Sequence, residues 1–157
     1  MMIKKYVIAL LISLSHISLA NEMNVIDSIS GNKRLTKLNE YIVSSELSKN
    51  FLQFESLTVF APLDDAFAAL SAKTYYGYLK EENKNELQSL VNYHFIEGNF
   101  FSKNITDTLN VKSLDGRDIE IKKINGIIYM NGAEVVESDI SHKTGYIHLI
   151  NKVLIPK

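Results

Sequence analysis

Histidine is the side chain whose charge changes most readily near neutral pH, and the chain has only four. One of them, His94, directly follows Tyr93, which sets a titratable ring beside a phenol. Such a pair could bind a partner through its polar tips. Equally, Tyr93 could enter the core while His94 is satisfied by hydrogen bonds at a helix end. His142 and His148 stand near Glu137 and Asp139. Their spacing matches no zinc pattern of a helix or hairpin, so no metal site is expected. Asp64-Asp65 resembles a carboxylate pair that shares a proton or holds a cation. Adjacent residues at a helix start point in different directions, so Asp64 is expected to cap its own short helix instead.

Asp139-Ile140, within Glu137-Ser-Asp-Ile-Ser141, places a carboxylate beside an apolar anchor. It could meet a cation on a partner, or cap a turn while Ile140 fills the core. Tyr75, Tyr76 and Tyr78 surround Gly77 in a segment read as a loop between helices. They could stack on sugars or cover a core edge. Asn104-Ile105-Thr106 satisfies the N-glycosylation pattern. The chain has no cysteine, which excludes disulfides, thiolate zinc sites and cysteine nucleophiles. It has no Gly-x-Ser-x-Gly, phosphate loop or His-Glu-x-x-His motif, and no serine in a recognisable setting. Catalysis and cofactors are not expected.

The elements that must position these residues begin after a leader. Lys4 and Lys5 precede an apolar run from Tyr6 to Leu14, and Ser18-Leu19-Ala20 supplies small residues for a signal peptidase. A secretory signal cleaved after Ala20 is expected, with a secreted or periplasmic product. A spanning helix wants about 20 apolar residues, and Ser13, Ser15, His16 and Ser18 interrupt the run too early. Residues 21–157 then suit a single domain. Net charge is −1, and lysines and acids are mixed throughout. Nucleic-acid or membrane binding by bulk charge therefore has no support.

Before about Asn104, apolar residues recur at helical spacing; after it they alternate or run in β-branched stretches. A short helix is expected around Val25, Ile26 and Ile29, closed by Gly31, and a longer one from about Arg34 to Lys49. Leu57–Ala61 reads as a buried strand stopped by Pro62, and a further helix is expected from Lys84 to about Tyr93. Asp115-Gly116, Asn125-Gly126 and Asn131-Gly132 are tight-turn signals. They separate strands at Asp118–Lys122, Ile127–Met130 and Ala133–Val136, and Tyr146–Ile155 closes the chain. Helices first and antiparallel strands after give an α+β fold.

Three segments resemble the fasciclin domain, an extracellular module found in fasciclin I, periostin and related bacterial secreted proteins. Thr58-Val-Phe-Ala-Pro-Leu-Asp-Asp-Ala-Phe67 is similar to the first signature of that family, Tyr93-His-Phe-Ile-Glu-Gly98 to its central Tyr-His segment, and Gly145-Tyr-Ile-His-Leu-Ile-Asn-Lys-Val-Leu-Ile-Pro156 to its closing signature. The resemblance runs from about Val25 to Pro156. Leu63 and Asn151 depart from the threonine and aspartate usual there.

The resemblance implies a fasciclin-type β-wedge or sandwich with N-terminal helices packed against it, its first and last signatures lying side by side as strands. It also implies adhesion through exposed loops to a surface or matrix protein or a polysaccharide. The candidate partner-binding residues are Tyr93, His94, Asp139 and Ile140, since animal members carry Tyr-His and Asp-Ile adhesion elements there. The alternative is a periplasmic binder of a small ligand, which predicts an aromatic-lined pocket of a few hundred Å3.

Overall fold

Leu57–Pro62 (β1), apolar at every position but Thr58, is covered on both faces and buried throughout in the computed structural model, which describes residues 22–157. The leader expected over residues 1–20 lies outside the described residues. Leu57, Val59 and Ala61 of β1 face a helical core, whereas Phe60 faces a second core built by the later strands.

The helical layer comprises α1 (Val25–Ser30), α2 (Thr36–Ser45), α3 (Ser48–Phe51), α4 (Asp64–Ala68), α5 (Ala72–Tyr78) and α6 (Lys84–Tyr93). The helix expected to continue from Arg34 to Lys49 is broken in two. Glu46 adopts a left-handed conformation (φ 62°) and donates its N–H to the Val43 carbonyl, which ends α2. Tyr41 and Ile42 on α2, and Leu87, Leu90 and Val91 on α6, press against β1 and the final strand. Phe51 stacks on Phe95 with ring centres 3.8 Å apart.

The remaining strands are β2 (Phe95–Glu97), β3 (Leu109–Lys112), β4 (Asp118–Ile124), β5 (Ile127–Met130), β6 (Ala133–His142) and β7 (Gly145–Ile150). All seven form one sheet in the order β2-β1-β7-β6-β5-β4-β3. The neighbours are antiparallel except β1 and β7, which run parallel from Leu57↔Gly145 to Pro62↔Ile150. Pro62 therefore belongs to the strand it was expected to stop. Asn125-Gly126 and Asn131-Gly132 have positive φ at both residues, the turn whose twist matches a two-residue hairpin.

β6 is longer than the expected Ala133–Val136. It pairs with β5 at its start and with β7 along the rest, with register shifts between Val135 and Glu137 and between Glu137 and Ile140. These bulges bend the sheet into a wedge. Ile119, Ile121, Ile128 and Met130 fill the core inside it with Phe60, Ile150 and Leu154. Gly145 lies so close to β1 that a Cβ there would sit 2.1 Å from the Leu57 carbonyl oxygen. Among the described residues no helix is long and apolar enough to cross a membrane.

Candidate functional site

The second β6 bulge is centred on Asp139, whose φ of 63° lies in the left-handed region. Its carboxylate accepts from the Ser102 N–H at 2.9 Å and from the Ser102 hydroxyl. Its own N–H donates to His148 Nδ1 at 3.1 Å. His148 must then carry its proton on Nε2, which donates to the Phe100 carbonyl at 2.6 Å. Bulge, final strand and the loop at residues 99–104 are thereby held together. Ile140 is half-buried, pairs with Ile147 and packs against the helical core. Asp139 and Ile140 thus sit inside a strand, not in the loop that the sequence suggests.

Tyr93 and His94 occupy a separate place, at the end of α6. Tyr93 is 6% exposed; its hydroxyl accepts from Asn131 Nδ2 at 2.7 Å and lies 3.4 Å from the Asp118 carbonyl. His94 is 1% exposed. The Leu154 N–H donates to its Nε2 at 2.9 Å, so Nδ1–H donates to the Leu90 carbonyl at 2.8 Å. Burial drives the His94 pKa down to about 4, against a smaller opposing effect of the Leu90 carbonyl. His142 is held in the same way, with Nε2–H toward the Leu57 carbonyl at 3.0 Å and Nδ1 accepting from the Thr144 N–H at 3.3 Å. Burial lowers the pKa of His142, and of His148 despite the nearby Asp139 carboxylate.

All three rings therefore tie backbone to backbone as neutral imidazoles, with both nitrogens engaged. Among the described residues no three histidines, aspartates or glutamates gather as metal ligands. Glu137 instead pairs with Arg34 at 2.7 Å.

Two more expectations need correction. Asp64 does not cap its own helix. Its carboxylate accepts from the Lys37 N–H at 2.8 Å and the Thr36 hydroxyl at 2.6 Å, at the start of α2, where Leu35 offers no side-chain cap. Tyr75, Tyr76 and Tyr78 lie on α5 and not in a loop. Tyr75 is buried and donates to Glu40, while Tyr76 is 63% exposed. Phe67, Leu70, Tyr75 and Tyr76 line a cleft of about 240 Å3 with Lys37 at its edge.

The sequence reading missed a larger groove of about 590 Å3 between the 99–104 loop and the β6–β7 hairpin. Glu55, Asn99, Phe101, Asn104, Lys143 and Tyr146 line it, with Ser141 and His142 deeper in. These residues come from separate segments; Asn104, Ser141, His142 and Tyr146 each fell in a pattern read for another reason, and none pointed to a groove.

The sequence profile of the fasciclin domain matches residues 33–156. Protein sll1483 of Synechocystis sp. is 31% identical over 134 residues, covering 85% of this chain and 74% of that protein. The transforming growth factor-beta-induced protein ig-h3 of Sus scrofa is 33% identical over 137 residues, covering 84% of this chain and 19% of that protein. Among solved structures, the FAS1 domain pair of the insect cell adhesion molecule fasciclin I superposes with a TM-score of 0.63 at 19% identity, over 80% of this chain and 47% of that one. The present chain thus spans three quarters of one relative and about a fifth of the other.

Proposed function

The chain belongs to the fasciclin domain family, and from that premise we propose that it is an exported adhesion module. It works by binding and not by catalysis, holding a surface or matrix protein or a polysaccharide through one end of a rigid wedge. The observation that carries this reading is the family match over nearly the whole domain, joined to a solved relative that comes from a cell adhesion molecule. Asp139 and Ile140 belong to the binding face, since the Asp139 carboxylate fixes the 99–104 loop beside it. Tyr93 and His94 lie apart from that face, at the end of α6, and as buried, bonded groups they hold the fold.

The test is binding of the fluorescently labelled protein to intact host cells and extracted matrix. Asp139→Ala/Ile140→Ala is run alongside after circular dichroism shows that it folds. Saturable binding that falls at least tenfold in the double variant is expected. A wild-type protein that binds neither cells nor matrix would sink the adhesion reading.

The cleft under Tyr75 and Tyr76 favours a second reading, a periplasmic binder of a small apolar ligand. Its aromatic lining is of the kind such a binder needs, and its volume of about 240 Å3, below the ~300–1,000 Å3 usual for a ligand pocket, suits only a small ligand. A small molecule recovered with the purified protein and lost in Tyr76→Ala would support it.

A further inference from the structure

The groove between the 99–104 loop and the β6–β7 hairpin combines two kinds of surface. Phe101 and Tyr146 are half-buried and present ring faces with centres 5.3 Å apart and planes inclined at 41°. Around them stand a carboxylate (Glu55), two carboxamides (Asn99 and Asn104) and an ammonium (Lys143). Among the described residues these four exposed side chains have no hydrogen-bond or ion-pair partner, so their donor and acceptor positions face solvent.

A pyranose ring has the matching features. One C–H face is apolar and suits an aromatic ring, and the rim carries hydroxyls that both donate and accept. Carboxamides offer both functions, a carboxylate accepts and an ammonium donates. Hydroxyls that replace that solvent keep its hydrogen bonds at little enthalpic cost. The lining is mostly polar with two aromatic rings set in it, a composition suited to a hydroxyl-rich ligand, and about 590 Å3 lies within the ~300–1,000 Å3 usual for a ligand site.

The walls are held in place before any ligand arrives. Asp139 holds Ser102, and His148 holds the Phe100 carbonyl. The buried Thr58 hydroxyl donates to the Gly98 carbonyl at 2.7 Å and accepts from the Phe100 N–H at 3.0 Å. Preformed walls lower the ordering cost of binding. The charges on Glu55 and Lys143 cancel, which removes any preference for an acidic chain. The other large groove, beside Tyr93, carries Lys112, Arg117 and Lys152, but Lys112 pairs with Asp118 and Arg117 with Asp115, and no aromatic pair flanks it.

We propose that the groove lined by Phe101 and Tyr146 binds a neutral saccharide, with stacking on the two rings and hydrogen bonds to Glu55, Asn99, Asn104 and Lys143. The proposal rests on the adhesion reading and names the partner class for it.

Isothermal titration of the full chain with cellohexaose, chitohexaose and mannohexaose tests the site, with hexagalacturonate as the acidic comparison. At least one neutral oligomer is expected to bind saturably. Tyr146→Ala and Asn104→Ala, the latter at an exposed position, should each weaken it at least tenfold, while Lys152→Ala in the other groove leaves it unchanged. Asn104→Ala keeps the test valid if Tyr146→Ala fails to fold. No binding of any neutral oligomer, binding indifferent to Asn104→Ala, or preference for hexagalacturonate would each overturn the proposal. A parallel assay on pretreated host cells separates it from its premise. Binding lost after periodate and kept after protease supports the saccharide. Loss after protease alone means a protein partner, which overturns the groove proposal and leaves the adhesion reading standing.

Discussion

Acidification should destabilise this domain through His94, and by an amount that the structure allows to be worked out. The folded state keeps the ring neutral, with Nε2 accepting from Leu154 and the side chain buried. Its pKa falls from 6.5 to about 4 on folding. At about 1.4 kcal/mol per tenfold change in proton affinity, that drop corresponds to about 3 kcal/mol. The unfolded chain takes up a proton at His94 as pH falls through 6.5, whereas the folded chain waits until about 4. The unfolded state therefore binds more protons in this window, and stability falls as pH falls. The contribution is complete above pH 6.5 and lost near pH 4. Urea unfolding of wild type and His94→Gln at intervals from pH 7.5 to 4 isolates it, because groups common to both proteins cancel in the difference. The variant should be less stable by about 1–3 kcal/mol at pH 7.5, for the Leu154 N–H left without its acceptor. The gap should then close by about 3 kcal/mol toward pH 4, so that the curves converge or cross. A gap constant across the range would refute the reasoning. So would an NMR titration of the wild type placing His94 near 6.5, a readout that survives if the variant does not fold.

Two further outcomes follow from close contacts. Gly145→Ala forces a methyl against the Leu57 carbonyl and the Asn99 side chain, so urea unfolding should show a loss at or above the top of the ~1–3 kcal/mol range for overpacking; a loss under about 0.5 kcal/mol, the size of an ordinary surface substitution, would mean that β1 and β7 can separate freely. Asp64→Ala removes the α2 cap supplied from α4 and should cost about 1–2 kcal/mol of unfolding free energy. Asp64→Asn retains an acceptor and should recover most of that, and equal losses in the two variants would contradict a capping role.

Where neighbours in sequence decide structure, the sequence was readable. The Lys84–Tyr93 helix and the Asn-Gly hairpins appear where apolar spacing and turn chemistry put them. Legibility failed where a residue answers to something distant. Asp64 reads as the cap of the helix it begins, yet α2 arrives beside it with an uncapped start. The β6 strand hides because two bulges destroy its alternation, so Glu137-Ser-Asp-Ile-Ser141 looks like loop composition. The tyrosines around Gly77 suggested a loop, but Ser71 caps a helix through the Thr74 N–H, and Tyr41 and Glu40 hold Tyr75 to α2. The groove beside the β6–β7 hairpin could not be read as a site, because its lining is drawn from separate segments that only the folded chain brings together.

The parallel pairing of β1 with β7 also governs when the domain can come into being. Leu57–Pro62 is bracketed by Phe95–Glu97 on one side and by Gly145–Ile150 on the other. A chain growing from its N-terminus has made α1 to α6 and six of its strands by His142 and still lacks the strand that joins the two halves of the sheet. Until Gly145–Ile150 emerges, β1 offers one open edge and neither core is closed, so the last step of folding waits on a contact between distant parts of the sequence. A nascent chain that cannot lock early stays threadable through a narrow channel. For the same interval it exposes an apolar strand edge that favours pairing with another unfinished copy.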